Sequence, residues 1–188
     1  MNGGERALFL DRDGVINHDT GYTHRWEDFV CIDGIFDLAR AARTRGYRLF
    51  VVTNQAGIGR GLYSEAQFLA LSGAMEQAFA AEGAPIDKVY FDPTHPEHGI
   101  GAYRRDSPMR KPNPGMLFAA AAEYGVSLPD CVIVGDKLSD ILAGQRAGLR
   151  TTLLYRPDGA PPPEEAGIEA TPTAVIARLV DAIPWLPG

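Results

Sequence analysis

Several features that would place this chain in a specialised class are scarce or missing. It has only two cysteines, Cys31 and Cys131, far apart and beside apolar residues. No disulfide framework is implied, and buried reduced thiols are expected. No stretch approaches the roughly 20 apolar residues of a membrane span, and the N-terminus has no apolar signal run. A cytoplasmic protein without a membrane partner is therefore expected. Excess positive charge is also absent: the net charge is -6, with both signs interspersed. The basic footprint of a nucleic-acid binder is missing. If such a chain handles an anion, it must gather positive charge locally from a few Lys or Arg side chains, a metal ion and backbone N–H groups. A length of 188 residues suits one domain better than two, so a single domain over 1–188 is expected.

What is present is an alternation of two periodicities. The run ALFLDRDGVIN reads as a buried strand with a polar tip, and RLFVVTNQAG repeats the pattern. Between them, Ile35, Leu38, Ala39 and Ala42 fall at helical spacing, with Gly46 as a stop signal. Ser64, with Gln67 at the capping-box position, opens a helix that ends near Gly83. The strand DKVYF follows, then a Pro-rich loop over 92–113 that is long enough to suggest function. A helix from about Pro114 to Tyr124, the strand CVIVGD, a short helix near 139–147 and the strand TTLLY complete the alternation. Beyond the run DGAPPPEE, the segment TAVIARLVDAI predicts a closing helix. The pattern implies a doubly wound α/β fold, a mostly parallel sheet with helices on both faces. Ligands then sit at the carboxyl ends of the strands, where the polar tips fall.

The tips carry the chemistry. Asp11 and Asp13 are two apart on an extended backbone and share one side of it. Two like charges this close suggest a metal ligand, an acid/base dyad or both, although DxD alone also fits two solvated loop carboxylates. The fourth strand ends in GDKLSD, bringing Asp136 and Asp140 to the same edge. An oxygen-rich site without His or Cys suits Mg²⁺. Asp136 is the better ligand; Asp140 either caps the following helix or contacts the metal. Thr53 offers a hydroxyl to phosphate oxygens. Arg110 and Lys111 supply the local positive charge.

These motifs, DRDGVIN, a strand ending in Thr53, Lys111 and VGDKLSD, resemble the four ordered motifs of the haloacid dehalogenase superfamily. Adding Gly21-Tyr22, TNQAGIGRG, His95-Pro-Glu97 and RKPNPGM, the chain is similar to the D-glycero-D-manno-heptose 1,7-bisphosphate phosphatases from about Leu8 to Leu154, with histidinol phosphatases as neighbours. The resemblance implies a magnesium-dependent sugar phosphatase. Asp11 is then the nucleophile, Asp13 the acid/base, and Thr53 and Lys111 hold the transferring group. Asp11, Asp136 and the backbone carbonyl of Asp13 would bind Mg²⁺. Asp19, Thr20, Gly21, Tyr22, Asn54, Gln55, Ala56, Arg110 and Lys137 would bind substrate.

One departure from the family concerns its loop zinc, held by a Cys-x-His and a Cys-x-Cys pair. Those positions here read Asp92, Thr94, Ser107 and Met109. No zinc is expected; the loop must be ordered by packing and hydrogen bonds, and His95 and His98 read as solvated. The interval between Asp13 and Thr53 has no room for a cap domain, so recognition falls to loops. A histidinol-phosphate phosphatase is the alternative substrate reading. A sugar phosphotransferase and a non-catalytic phospho-ligand binder are the more distant ones. A monomer acting on a small sugar phosphate is expected.

Overall fold

Six strands build one sheet: β1 (Arg6–Leu10), β2 (Tyr47–Asn54), β3 (Lys88–Asp92), β4 (Val132–Gly135), β5 (Thr151–Tyr155) and β6 (Ala174–Ile176). Their order is β3-β2-β1-β4-β5-β6, and every neighbouring pair is parallel. This is a computed structural model that describes residues 4–161, 165 and 167–187. Pro162, Pro163 and Glu164 of the Pro-rich run lie outside the described residues.

Period-two alternation divides the strand side chains between two cores. Leu8, Leu10, Leu49, Val51, Val132 and Val134 face one side, with Leu38 of α1 (Ile35–Thr44) and Met75 of α3 (Glu65–Ala81). Ala7, Phe9, Phe50, Val52 and Ile133 face the other, with Leu117 of α4 (Gly115–Tyr124) and Ala143 of α5 (Leu138–Arg146). Strands buried on both faces read as unbroken apolar runs, so β1 and β2 were recognisable. The doubly wound expectation holds.

The strand order reverses between β1 and β4, and in open α/β sheets the crevice at that switch point takes the ligand. Asp11 and Asp136, each just past the end of one of these two strands, meet there. The one-turn α2 (Ala56–Gly59) follows the tip of β2.

The closing helix expected over TAVIARLVDAI is not formed. Ala174–Ile176 is instead the edge strand β6, and Leu179–Trp185 is a 3₁₀ run. The β-branched pair Val175 and Ile176 suits a pleated strand, and Leu153↔Ala174 to Tyr155↔Ile176 extend the sheet. Thr173 N donates to Thr152 O at 2.8 Å and Arg156 N to Ile176 O at 2.8 Å, satisfying both sides of the ladder. Pro184 lacks an N–H and further disfavours a long α-helix there.

At the start of α3, Ser64 Oγ accepts from Gln67 N at 3.1 Å, and Ser64 N donates to Gln67 Oε1 at 2.8 Å. Two otherwise unpaired N–H groups are thereby satisfied. Ser64→Ala is expected to lower unfolding free energy by about 1 kcal/mol, read as a shifted urea midpoint with an unchanged slope.

Candidate active site

The site is built around one buried ammonium. Lys111 Nζ lies 2.7 Å from Asp11 Oδ1, 2.5 Å from Asp140 Oδ1 and 2.7 Å from Val52 O. Its three donors are all used. Asp11, Asp140 and Lys111 are each under a tenth exposed. Burial alone would push Lys111 down, but the Asp11 and Asp140 carboxylates more than reverse this and raise it. The peptide unit of Lys111 is fixed too: its N–H donates to Asn54 Oδ1 and its carbonyl accepts from Asn54 Nδ2, both at 2.9 Å. Asn54, expected to touch substrate, thus spends its amide on pinning Lys111 to the tip of β2.

Asp11, Asp136 and Asp140 each offer an oxygen, and these lie within 4.8 Å of one another. Three carboxylates around one buried ammonium leave excess negative charge. Burial first, then Asp11 and Asp140, pushes Asp136 up to about 8. Burial likewise raises Asp11; Lys111 opposes this, and Asp140 adds to it. Such a cluster needs a cation or protons. Asp136 Oδ1 is buried and has no hydrogen-bond partner among the described residues. It therefore fits a hard divalent ion, with Asp11 beside it. Asp140 fits less well, because Oδ1 is held by Lys111 and Oδ2 accepts from Lys137 N at 3.1 Å, across the start of α5. Of the two roles left open for Asp140, capping is the one this geometry supports. Gly14, at φ +91°, makes the approach of Asp136 possible: a Cβ there would lie 2.4 Å from Asp136 Oδ2.

Asp13 is held entirely by donors. Arg12 Nη2 lies 2.7 Å and 2.8 Å from its two oxygens, Asn17 Nδ2 lies 3.1 Å away, and Gln55 Nε2 lies 3.0 Å away. Arg12, 1 % exposed, is itself anchored on Thr23 O at 2.8 Å, over the Phe68 ring. Neither Arg12 nor Asn17 was expected at the site from sequence. Their adjacency to DxD was the only available signal.

A cavity of about 620 Å³ opens above this centre. Asp11, Asp13, Thr53 and Lys111 line it, together with Asp19, Gly21, Tyr22, Asn54, Gln55, Ala56, Arg110 and Lys137. Two expected residues do not line it. Asp136 lies in the carboxylate cluster, and Thr20 turns to Thr23, with its Oγ1 3.0 Å from Thr23 Oγ1. Lys137 Nζ faces Asp19 Oδ2 at 3.8 Å across the mouth. Tyr22 takes φ 56° and accepts from Arg60. His95 and Glu97 of the long loop also line the cavity, as do Tyr63, Ser139 and Glu165, which sequence had not placed there.

The long loop closes through a buried carboxylate. Asp92 Oδ1 accepts from Thr94 N at 2.8 Å and Thr94 Oγ1 at 2.5 Å, and Asp92 Oδ2 accepts from Ser107 Oγ at 2.5 Å. Met109 N donates to Ser107 Oγ at 3.2 Å. Arg110 Nη1, donating to Thr94 O at 2.8 Å, is thereby placed on the cavity wall.

Comparisons with known proteins agree with this geometry. Residues 108–182 match the HAD-hydrolase-like family model. Over 97% of its length and 94% of the relative's, the chain is 55% identical to the D-glycero-alpha-D-manno-heptose-1,7-bisphosphate 7-phosphatase of Burkholderia mallei. It is 43% identical to the D-glycero-beta-D-manno-heptose-1,7-bisphosphate 7-phosphatase of Vibrio cholerae, covering 96% of this chain and 95% of that one. The crystal structure of D,D-heptose 1,7-bisphosphate phosphatase from B. bronchiseptica, complexed with magnesium and phosphate, superposes with a TM-score of 0.80 at 28% identity, covering 97% of each chain.

The raised Asp136 gives a signed prediction. Between its ordinary 3.8 and about 8, the folded protein holds a proton that the unfolded chain releases. Without metal, stability should therefore fall as pH rises through that window. Mg²⁺, which displaces the proton, should remove most of this loss. Urea midpoints at about pH 5 and about pH 8, each with chelator and with Mg²⁺, check it.

Proposed function

The chain belongs to the D-glycero-D-manno-heptose-1,7-bisphosphate phosphatases of the HAD-like hydrolases, and we propose from that premise how its residues share the work. It is a magnesium-dependent phosphatase that releases one phosphate from D-glycero-D-manno-heptose 1,7-bisphosphate through a phosphoaspartate, in heptose biosynthesis. The observation that carries the assignment of roles is the Asp11–Lys111–Asp140 cluster beside the unpartnered oxygen of Asp136.

Asp11 Oδ1 is held by Lys111, which leaves Oδ2 to attack phosphorus. Asp11, Asp136 and the Asp13 carbonyl hold Mg²⁺, which supplies the positive charge that keeps these carboxylates ionised and offsets the charge of the phosphoryl oxygens. Lys111 has no donor to spare. It acts through its field and by fixing Asp11, while the Thr53 hydroxyl is the nearby donor for a phosphoryl oxygen. Asp13 protonates the leaving alcohol and then takes a proton from the attacking water. To do so it gives up one of the bonds from Arg12, Asn17 or Gln55.

Arg110 and Lys137 on the walls suit the second phosphate of a bisphosphate. The described residues form one sheet without a second folded unit, which supports a single capless domain with recognition by loops; action as a monomer is part of the same proposal. Asp92 accepts from Thr94 and Ser107, which stand at two of the family's other zinc-ligand positions, and this engagement supports a zinc-free enzyme. No helix among the described residues is long and apolar enough to cross a membrane.

Phosphate release from a panel of both heptose 1,7-bisphosphate anomers and histidinol phosphate tests the substrate. The α anomer should be hydrolysed fastest, loss of the 7-phosphate should be seen by ³¹P NMR, and histidinol phosphate should be slowest. The opposite order overturns the substrate assignment. Asp11→Asn should lower kcat by more than about 10³-fold with the fold intact by circular dichroism. Metal analysis should find no stoichiometric zinc.

A further inference from the structure

Tyr63 has no part in the roles given above, yet it is built tightly into the site. It is 6 % exposed, and its ring stacks on His24 with centroids 5.2 Å apart and planes 3° apart. Gly57 is required beneath it, since a Cβ there would lie 2.2 Å from a ring carbon. The phenol donates to Gln55 Oε1 at 2.5 Å. Burial pushes the phenol up to about 12, so it remains a donor across the neutral range. With Oε1 engaged, the amide turns Nε2 toward the reaction centre, where it donates to Thr53 Oγ1 at 2.8 Å and Asp13 Oδ2 at 3.0 Å.

This orientation decides what Thr53 can do. A hydroxyl that accepts from Gln55 keeps its own proton for another acceptor. A reversed amide would take that proton and set Oε1 against the Asp13 carboxylate, acceptor facing acceptor. We infer that Tyr63 is a positioning residue: by fixing the Gln55 amide it aims the Thr53 hydroxyl proton at the transferring phosphoryl group and steadies Asp13 beside it. The inference rests on the roles given above to Thr53 and Asp13.

Tyr63→Phe keeps the ring and removes only the donor. Assayed on heptose 1,7-bisphosphate with Mg²⁺, it should lower kcat about tenfold and change KM less than about twofold. In a Gln55→Leu background the same change should cost less than about twofold, because no amide is left to orient. Equal losses in the two backgrounds, or no loss in the wild-type background, overturn the inference. A second readout does not depend on turnover. The Gln55 side-chain amide signals, assigned by their absence in Gln55→Leu, should shift in Tyr63→Phe; unshifted signals overturn the inference even if kcat falls. A wild-type protein that released no phosphate would instead defeat the functional assignment, while the amide signals would still decide whether Tyr63 orients Gln55.

Discussion

The buried Lys111 ammonium ties together several parts of the chain at one point. It joins the residue after β1 through Asp11, the strand β2 through Val52 O and the first turn of α5 through Asp140. Its own backbone ends the long loop and is clamped to Asn54. A lone ammonium in this setting would be too costly to keep charged, and three carboxylates without it would be worse. The arrangement persists because Lys111, Asp11 and Asp140 each have an oppositely charged neighbour within hydrogen-bond reach. The negative charge left over calls for a metal cation, and Asp136 carries the free oxygen to receive it. Binding, nucleophile orientation and metal demand follow from one interaction.

Much of this was legible from residue order because the fold makes function local to strand tips. β1, β2 and β4 run apolar up to Leu10, Val52 and Val134, so the first polar residues beyond these points must converge at one edge. Asp11, Asp13, Thr53 and Asp136 could be placed there without knowing any side-chain angle. Other roles depend on direction. Asn54 and Gln55 were expected to meet substrate, but their amides are engaged within the protein, by Lys111 in one case and by Tyr63, Thr53 and Asp13 in the other. Nothing in local sequence fixes which way an amide faces. The tail was misread for a different reason. TAVIARLVDAI has helical spacing, yet β5 offered an open edge, and pairing with it outweighed local propensity.

The loop over 92–110 is cross-linked by hydrogen bonds to a buried carboxylate. Asp92, at the end of β3, accepts three hydrogen bonds and holds Thr94 to Ser107 across the loop. A carboxylate so satisfied can remain buried, because its lone pairs are used. The consequence for function lies in Arg110, which is held against Thr94 O and directed to the cavity wall. On the proposed roles, substrate choice is shaped by loop closure, whereas the nucleophile is set by the sheet.

Identification of the phosphorylated residue tests the central claim most directly. Wild-type enzyme mixed with heptose 1,7-bisphosphate and Mg²⁺, quenched in acid during turnover and reduced with borohydride, should yield homoserine in place of Asp11 when the peptides are sequenced by mass spectrometry. Homoserine at any other aspartate, or none at all while phosphate is released at a normal rate, would contradict the account.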